Sequence, residues 1–202
     1  MLGMVEPLSE GDVAAAGGVL ARAFRDNPGT LAVLKGDNPD VRLRIMQRSV
    51  TDFTDVVRRY GAAEVIKEGG KVTAVALCFG PKQFPPPLWA QLLISRGPLL
   101  AGPARTLRFA RMDFEMRKRH PHYPHWYLWF LGVEPERQGK GLGSELLRSL
   151  GAKAEADRVP CYLETDKATS VRLYERHGYV VQSEEVLGGL DLNMWFMKRD
   201  LP

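Results

Sequence analysis

At 202 residues the chain is long for one ordinary domain and short for two, and its 28 Lys and Arg against 24 Asp and Glu make it only mildly basic. Hydrophobic residues at 45% and charged residues at 26% exclude a disordered or fibrous chain. Met1 to Pro7 lacks the basic and apolar regions of a secretory signal, and Arg or Pro interrupts every apolar stretch well short of a membrane span, so a cytoplasmic protein with no membrane partner is expected. No repeat divides the chain, and a single domain over 1–202 is the expected organisation.

Val5 to Ser9 reads as a short strand running into a helix cap, because Ser9 precedes Asp12 and the Ala-rich segment Val13 to Phe24. That helix should end in a turn at Asp26-Asn-Pro-Gly29. Val41, Ile45, Val50, Phe53 and Val57 recur at helical spacing, which predicts a second helix from Pro39 or Asp40 to about Tyr60, closed by Gly61. Ala62 to Lys67 and Val72 to Phe79 flank Glu68-Gly-Gly-Lys71 as an antiparallel hairpin. Residues 80–125 are too long for a simple loop and carry two helical patterns, about Leu88 to Ser95 and Pro103 to Arg119. They are read as a helical insertion beside the substrate site.

Arg105 to Arg119 is rich in cations, but Asp113 and Glu115 interrupt the run and no stacking aromatics alternate with it. A solvated helix face is therefore favoured over a nucleic-acid surface. His120-Pro-His-Tyr-Pro-His125 has no accompanying Cys or carboxylate and is read as a connector, with no metal expected. Cys78 and Cys161 lie in apolar, strand-like runs and should be buried free thiols. The remaining elements are a strand from Trp126, a helix from Leu142 to about Asp157, a strand over Val159 to Thr165 and a helix from about Ser170 to His177. A final hairpin, Tyr179 to Val186 and Leu190 to Arg199, turns at Gly188-Gly189. This order makes a mixed α/β sheet, parallel only where helices cross over.

The segment Trp126 to Leu147 concentrates the chemistry. Gly139, Gly141 and Gly143 permit backbone conformations in which successive N–H groups converge on an anion, and the helix that starts there adds unpaired amides and a partial positive charge. Arg137 and Lys140 are placed to add charge at the rim, with a simply solvated side chain as the alternative for either. A P-loop would need Lys and Ser or Thr after its glycine, whereas Ser144 and Glu145 follow Gly143; a dinucleotide fold would place its glycines early in a parallel sheet. The diphosphate of coenzyme A remains beside the plain strand-to-helix turn.

Gln138-Gly-Lys-Gly-Leu-Gly143 after Leu131-Gly-Val133, followed by Leu163-Glu-Thr165 and Leu173-Tyr-Glu-Arg-His-Gly-Tyr179, resembles the acetyl-CoA signature and the next motif of the GNAT N-acetyltransferase superfamily. The His125-Trp126 lead-in and Ala23-Phe-Arg-Asp-Asn-Pro28 are most like puromycin N-acetyltransferase and its bacterial relatives. The resemblance implies a mostly antiparallel sheet with one splayed parallel strand pair, flanked by helices. It implies acetyl-CoA as cofactor, with pantetheine on the backbone of Leu131, Gly132 and Val133. The diphosphate would lie on Gln138, Gly139, Lys140, Gly141, Leu142, Gly143 and Ser144 beside Arg137. Tyr174 matches the family's general acid next to the coenzyme sulfur. Where many relatives have Asn four residues before it, this chain has the shorter Ser170.

Glu164, at a strand end, is the favoured base, with Glu134 and the C-terminal region weaker options, and the N–H of Val133 is the oxyanion donor. Glu64 and Asp26 have no assigned place. The implied function is N-acetyl transfer from acetyl-CoA to the amine of a small molecule, by a monomer or homodimer without nucleic-acid partners. The alternative is an acyl-CoA-binding sensor on the same fold that turns nothing over.

Overall fold

A computed structural model of the protein describes residues 3–201. Among these, seven strands form one sheet: β1 (Val5–Pro7), β2 (Ala62–Glu68), β3 (Lys71–Phe79), β4 (Trp126–Val133), β5 (Cys161–Thr165), β6 (Val180–Leu187) and β7 (Leu192–Arg199). Their spatial order is β1-β2-β3-β4-β5-β7-β6. Every neighbouring pair is antiparallel except β4–β5, which a crossover helix makes parallel. The helices of the described residues are α1 (Val13–Phe24), α2 (Pro28–Val33), α3 (Pro39–Tyr60), α4 (Leu88–Leu100), α5 (Pro103–Arg119), α6 (Leu142–Asp157) and α7 (Ala168–Glu175).

The sheet separates two cores because strand side chains alternate between its faces. On one face Val65, Val75, Leu77, Phe79, Tyr127 and Tyr162 meet α1 and α3, with α4 and α5 at the margin. On the other, Ala74, Ala76 and Cys78 are small, which lets α6 press Leu142, Leu146 and Leu150 onto the sheet until they are fully buried. Each such leucine contributes about 1.5–3 kcal/mol by burial. Both cysteines are buried free thiols, as their apolar contexts predict. No helix among the described residues is long and apolar enough to cross a membrane.

Several boundaries move relative to the sequence reading. Asn27-Pro-Gly29 begins a helix, α2, because Asn27 is extended and Pro28 occupies the first helical position, where its fixed φ suits helix and its missing N–H costs nothing. The hydroxyl of Ser9 bonds the Asp12 carboxylate and leaves the helix amides uncapped. Helix α4 runs past Ser95 through Gly97 and Pro98. At Gly97 a Cβ would lie 2.3 Å from Ser49 Oγ, so only glycine lets α4 sit this close to α3.

Helix α5 has no buried residue, in keeping with the solvated face expected, and four of its cations also serve as tethers. Arg105 pairs with Asp37 at 2.7 Å, Arg108 donates to the Val33 carbonyl, Arg111 to that of Gly188, and Arg119 reaches Glu185. Residues 80–125 are thereby strapped to the α2–α3 loop on one side and to the β6–β7 hairpin on the other. That fixes them as a wall over the open end of the sheet.

Candidate active site

The site begins where two parallel strands part. Pairing between β4 and β5 covers Trp126–Leu128 against Cys161–Leu163 and then stops, although both strands continue. On its other edge β4 stays paired with β3 to Val133. There the Glu134 N–H bonds the Thr73 carbonyl, so in the alternating antiparallel ladder the polar groups of Leu131 and Val133 face away from β3, into the gap. Gln138 Nε2 already donates to the Val133 carbonyl at 3.1 Å. The free edge thus comprises the N–H and C=O of Leu131 and the N–H of Val133, donors and acceptors of the kind an extended amide chain pairs with.

A β-bulge shapes the same strand. Leu77 pairs with Phe130 and Cys78 with Leu128, leaving Trp129 as the extra residue. Both Trp129 and Phe130 consequently pack on the α1–α3 face, while Leu131 and Val133 turn to the other core.

At the mouth of the gap the chain makes a short 3₁₀ turn (Pro135–Arg137) and enters α6. Gly139 and Gly141 have φ of +77° and +84°, which only glycine adopts without strain, and Gly141 leaves the first amides of α6 without a side-chain cap. Gly143 is helical. A Cβ on it would point towards Leu131, Val133 and Leu173 at 3.8–3.9 Å, into the groove itself. Uncapped helix amides below a free strand edge, with a groove kept clear by a missing Cβ, fit the diphosphate and pantetheine of coenzyme A.

One cavity of about 670 Å³ runs from this cradle across the sheet to α3 and α5. Leu131, Gly132, Val133, Arg137, Gln138, Gly139, Gly141, Leu142, Gly143, Ser144, Ser170, Tyr174 and Glu164 all line it. Lys140 is exposed and outside that wall, and Arg137 is held by Glu68 at 3.3 Å. Ser170 sits in the first turn of α7, its N–H bonded to the Lys167 carbonyl, and it does not cap the helix.

Tyr174 is the one buried residue of α7 and faces the cavity at 8% exposure. Burial raises its pKa above the ordinary phenol value and the nearby Asp166 carboxylate raises it further, so the phenol stays protonated. Asp166 also lines the cavity and accepts from the Gly29 N–H at 2.6 Å, joining the start of α2 to the end of β5; burial raises its pKa, against that hydrogen bond. Nothing in the sequence pattern marks Asp166, because its partner is 137 residues away.

Glu164 shares the face of Tyr162 two residues before it, towards the insertion. Its side chain is 5% exposed, and its Oε1 lies buried without a hydrogen-bond partner, 3.8 Å from Nδ1 of His120. Behind it the His120 ring packs edge-on to Tyr127 and Tyr162, with ring centres 4.7 and 5.4 Å away, and stands 4.9 Å from His125. Burial raises the pKa of both tyrosines, and the Glu164 carboxylate raises them further. Nδ1 of His125 faces the Tyr123 carbonyl at 2.7 Å and so carries the proton, leaving Nε2 as a bare acceptor; burial lowers this histidine's pKa. The segment read as a connector therefore delivers His120 to the carboxylate. The other acidic residues considered are committed elsewhere: Glu134 to Arg22, Glu64 to Ser149 and Lys153, and Asp26 to Arg25 and Arg42.

Comparison with known proteins bears on this geometry. A family model described as "Acetyltransferase (GNAT) family" matches residues 99–179, from α4 to the end of the α7 segment. The chain is similar to mycothiol acetyltransferase of Mycobacterium leprae (strain Br4923), 34% identical over 82 residues that make up 36% of this chain and 26% of that protein. It is also similar to mycothiol acetyltransferase of Mycobacteroides abscessus, at 35% over 91 residues, or 43% of this chain and 30% of that one. The matched stretch is thus about a quarter to a third of these relatives' length. Among solved structures, one from Corynebacterium glutamicum, described as a histone acetyltransferase HPA2 and related acetyltransferase, superposes over 100% of this chain and 99% of its own, with a TM-score of 0.70 and 22% identity. The architecture is the mixed α/β GNAT fold.

Proposed function

From the GNAT fold and the family match over residues 99–179, we propose that this chain is an acetyl-CoA-dependent N-acetyltransferase acting on the amine of a small molecule. The parting of β4 from β5 beyond Leu128, above the uncapped start of α6, carries this reading. It supplies a strand edge for pantetheine, amides for the diphosphate and a cavity that continues to a buried carboxylate. The finer likeness to puromycin N-acetyltransferase rests on the Ala23 to Pro28 segment and His125-Trp126. Ala23, Phe24 and Asn27 of the first segment line the cavity, and His125 of the second packs against His120, Tyr127 and Tyr162.

Acetyl-CoA supplies an acetyl group already activated as a thioester. The acceptor arrives as an ammonium ion and loses one proton to Glu164, directly or through water, which frees the nitrogen lone pair. As that nitrogen bonds the carbonyl carbon, the negative charge on oxygen meets the N–H of Val133 at the free edge. When the C–S bond breaks, its electron pair leaves with sulfur, the second proton of the former ammonium passes from nitrogen to that thiolate to give the free thiol, and Tyr174 donates a hydrogen bond to the sulfur as its charge develops. A phenol held above its ordinary pKa of about 10 is a weaker acid than a thiol near 8.5, so hydrogen-bond stabilisation outweighs full proton transfer at Tyr174.

Tyr174→Phe should lower kcat by about 100-fold while leaving the Kd for acetyl-CoA within about twofold, measured by thiol release and calorimetry. Turnover equal to that of the parent chain would remove Tyr174 from the chemistry. Acetyl-CoA binding without thiol release, across amines of every class, would favour the sensor.

A further inference from the structure

The far half of the cavity is walled by Phe53, Phe109, Met112, Met116 and Trp129, from α3, α5 and the bulge of β4. Phe53 stacks on Trp129 with ring centres 5.0 Å apart and lies 6.5 Å from Phe109, so this wall is a continuous aromatic and thioether surface. The cations in the same wall already have partners: Arg105 is paired with Asp37 and Arg117 with Asp113, each at 2.7 Å. Glu164 differs. Among the described residues, Oε1 of this buried carboxylate has no hydrogen-bond partner, and the nearest basic group is His120 at 3.8 Å.

A buried carboxylate oxygen without a donor is costly, and a ligand ammonium arriving there recovers the lost interaction. One such oxygen answers one ammonium. Against the Phe53–Trp129–Met112 wall a second cationic group would find only Asp113, already paired with Arg117, and sugar hydroxyls laid on that wall would lose water without gaining partners. We infer that the acceptor is an aromatic or otherwise apolar primary monoamine, its ammonium on Glu164 and its body against the Phe53–Trp129–Met112 wall. This rests on the acetyltransferase reading and specifies its acceptor. It also accounts for residues 80–125, since α5 supplies Phe109, Met112 and Met116 to the wall and His120 at its end stands by the carboxylate.

The test uses the full chain with saturating acetyl-CoA and compares 2-phenylethylamine and tryptamine with glucosamine and 1,4-diaminobutane by thiol release. The aromatic monoamines should exceed both polar amines in kcat/KM by about tenfold or more. Turnover with equal or reversed preference would overturn the acceptor class and leave acetyl transfer standing. A parallel titration of the coenzyme A complex with 2-phenylethylammonium should quench tryptophan fluorescence, and Trp129→Phe should abolish most of that change. Quenching without thiol release from any amine would retain the ligand class and remove the transferase. Absence of both quenching and turnover would overturn the inference itself.

Discussion

Glu164 illustrates how a residue can be poorly placed for stability and well placed for chemistry. Its carboxylate is almost fully enclosed, yet one oxygen has no donor, an arrangement that folding alone would avoid. Glu164→Gln keeps the shape and removes the charge. It should lower kcat/KM for the preferred amine by about 100-fold or more, leave the Kd for acetyl-CoA unchanged, and leave the urea midpoint equal or higher. Parent-like kcat/KM in this variant would place the base elsewhere. The places of Glu164 and Tyr174 on the cavity wall are legible in the sequence, since the first ends a strand and the second sits in a recognisable motif. His120 and Asp166 are not: each acquires its role from a contact between elements far apart in the chain, one between the end of α5 and β5 and the other between β5 and α2.

Among elements, the turn from β4 into α6 shows that three glycines spaced alike do different work. Gly141 has a left-handed φ, whereas Gly143 is helical and meets nothing closer than 3.8 Å at its missing Cβ. Gly141→Ala should therefore cost about 1–2 kcal/mol of stability through backbone strain. Gly143→Ala should keep or raise stability, because alanine is the better helix former by up to about 1 kcal/mol, while weakening acetyl-CoA binding by intruding on the groove. Urea unfolding and coenzyme titration of the two variants separate these effects; equal loss of stability in both would contradict the assignment. Periodicity and turn residues predicted α3, α6 and the β2–β3 hairpin closely, because each depends on local pattern. The bulge at Trp129 escaped it, since a one-residue offset against β3 leaves no mark in an apolar run, and so did α2, where a turn-like sequence begins a helix.

Across the whole molecule the mixed sheet with one parallel pair follows from element order, whereas the cavity depends on the tethering of α5, which composition presents as surface charge. The titration of the folded chain adds a further consequence. Burial lowers the pKa of His125 and of His177 below the ordinary value of 6.5, so over that window the unfolded chain binds more protons and stability rises with pH. The contribution is complete above pH 6.5 and is lost as pH falls towards the folded values. Asp12, Asp26 and Asp37, with pKa values lowered chiefly by hydrogen bonds from Lys67, Arg25 and Arg105, lose theirs only below the ordinary carboxylate pKa of 3.8. Asp52 and Asp166, raised by burial, act in the opposite sense above that value. Two acid steps are expected, the upper one set by the histidines. The urea midpoint should fall between pH 7.5 and 5.5, and His125→Asn combined with His177→Asn should flatten that fall. An unchanged fall in the double variant would assign it to another group, and a midpoint that rises on acidification would mean that the buried carboxylates outweigh both histidines.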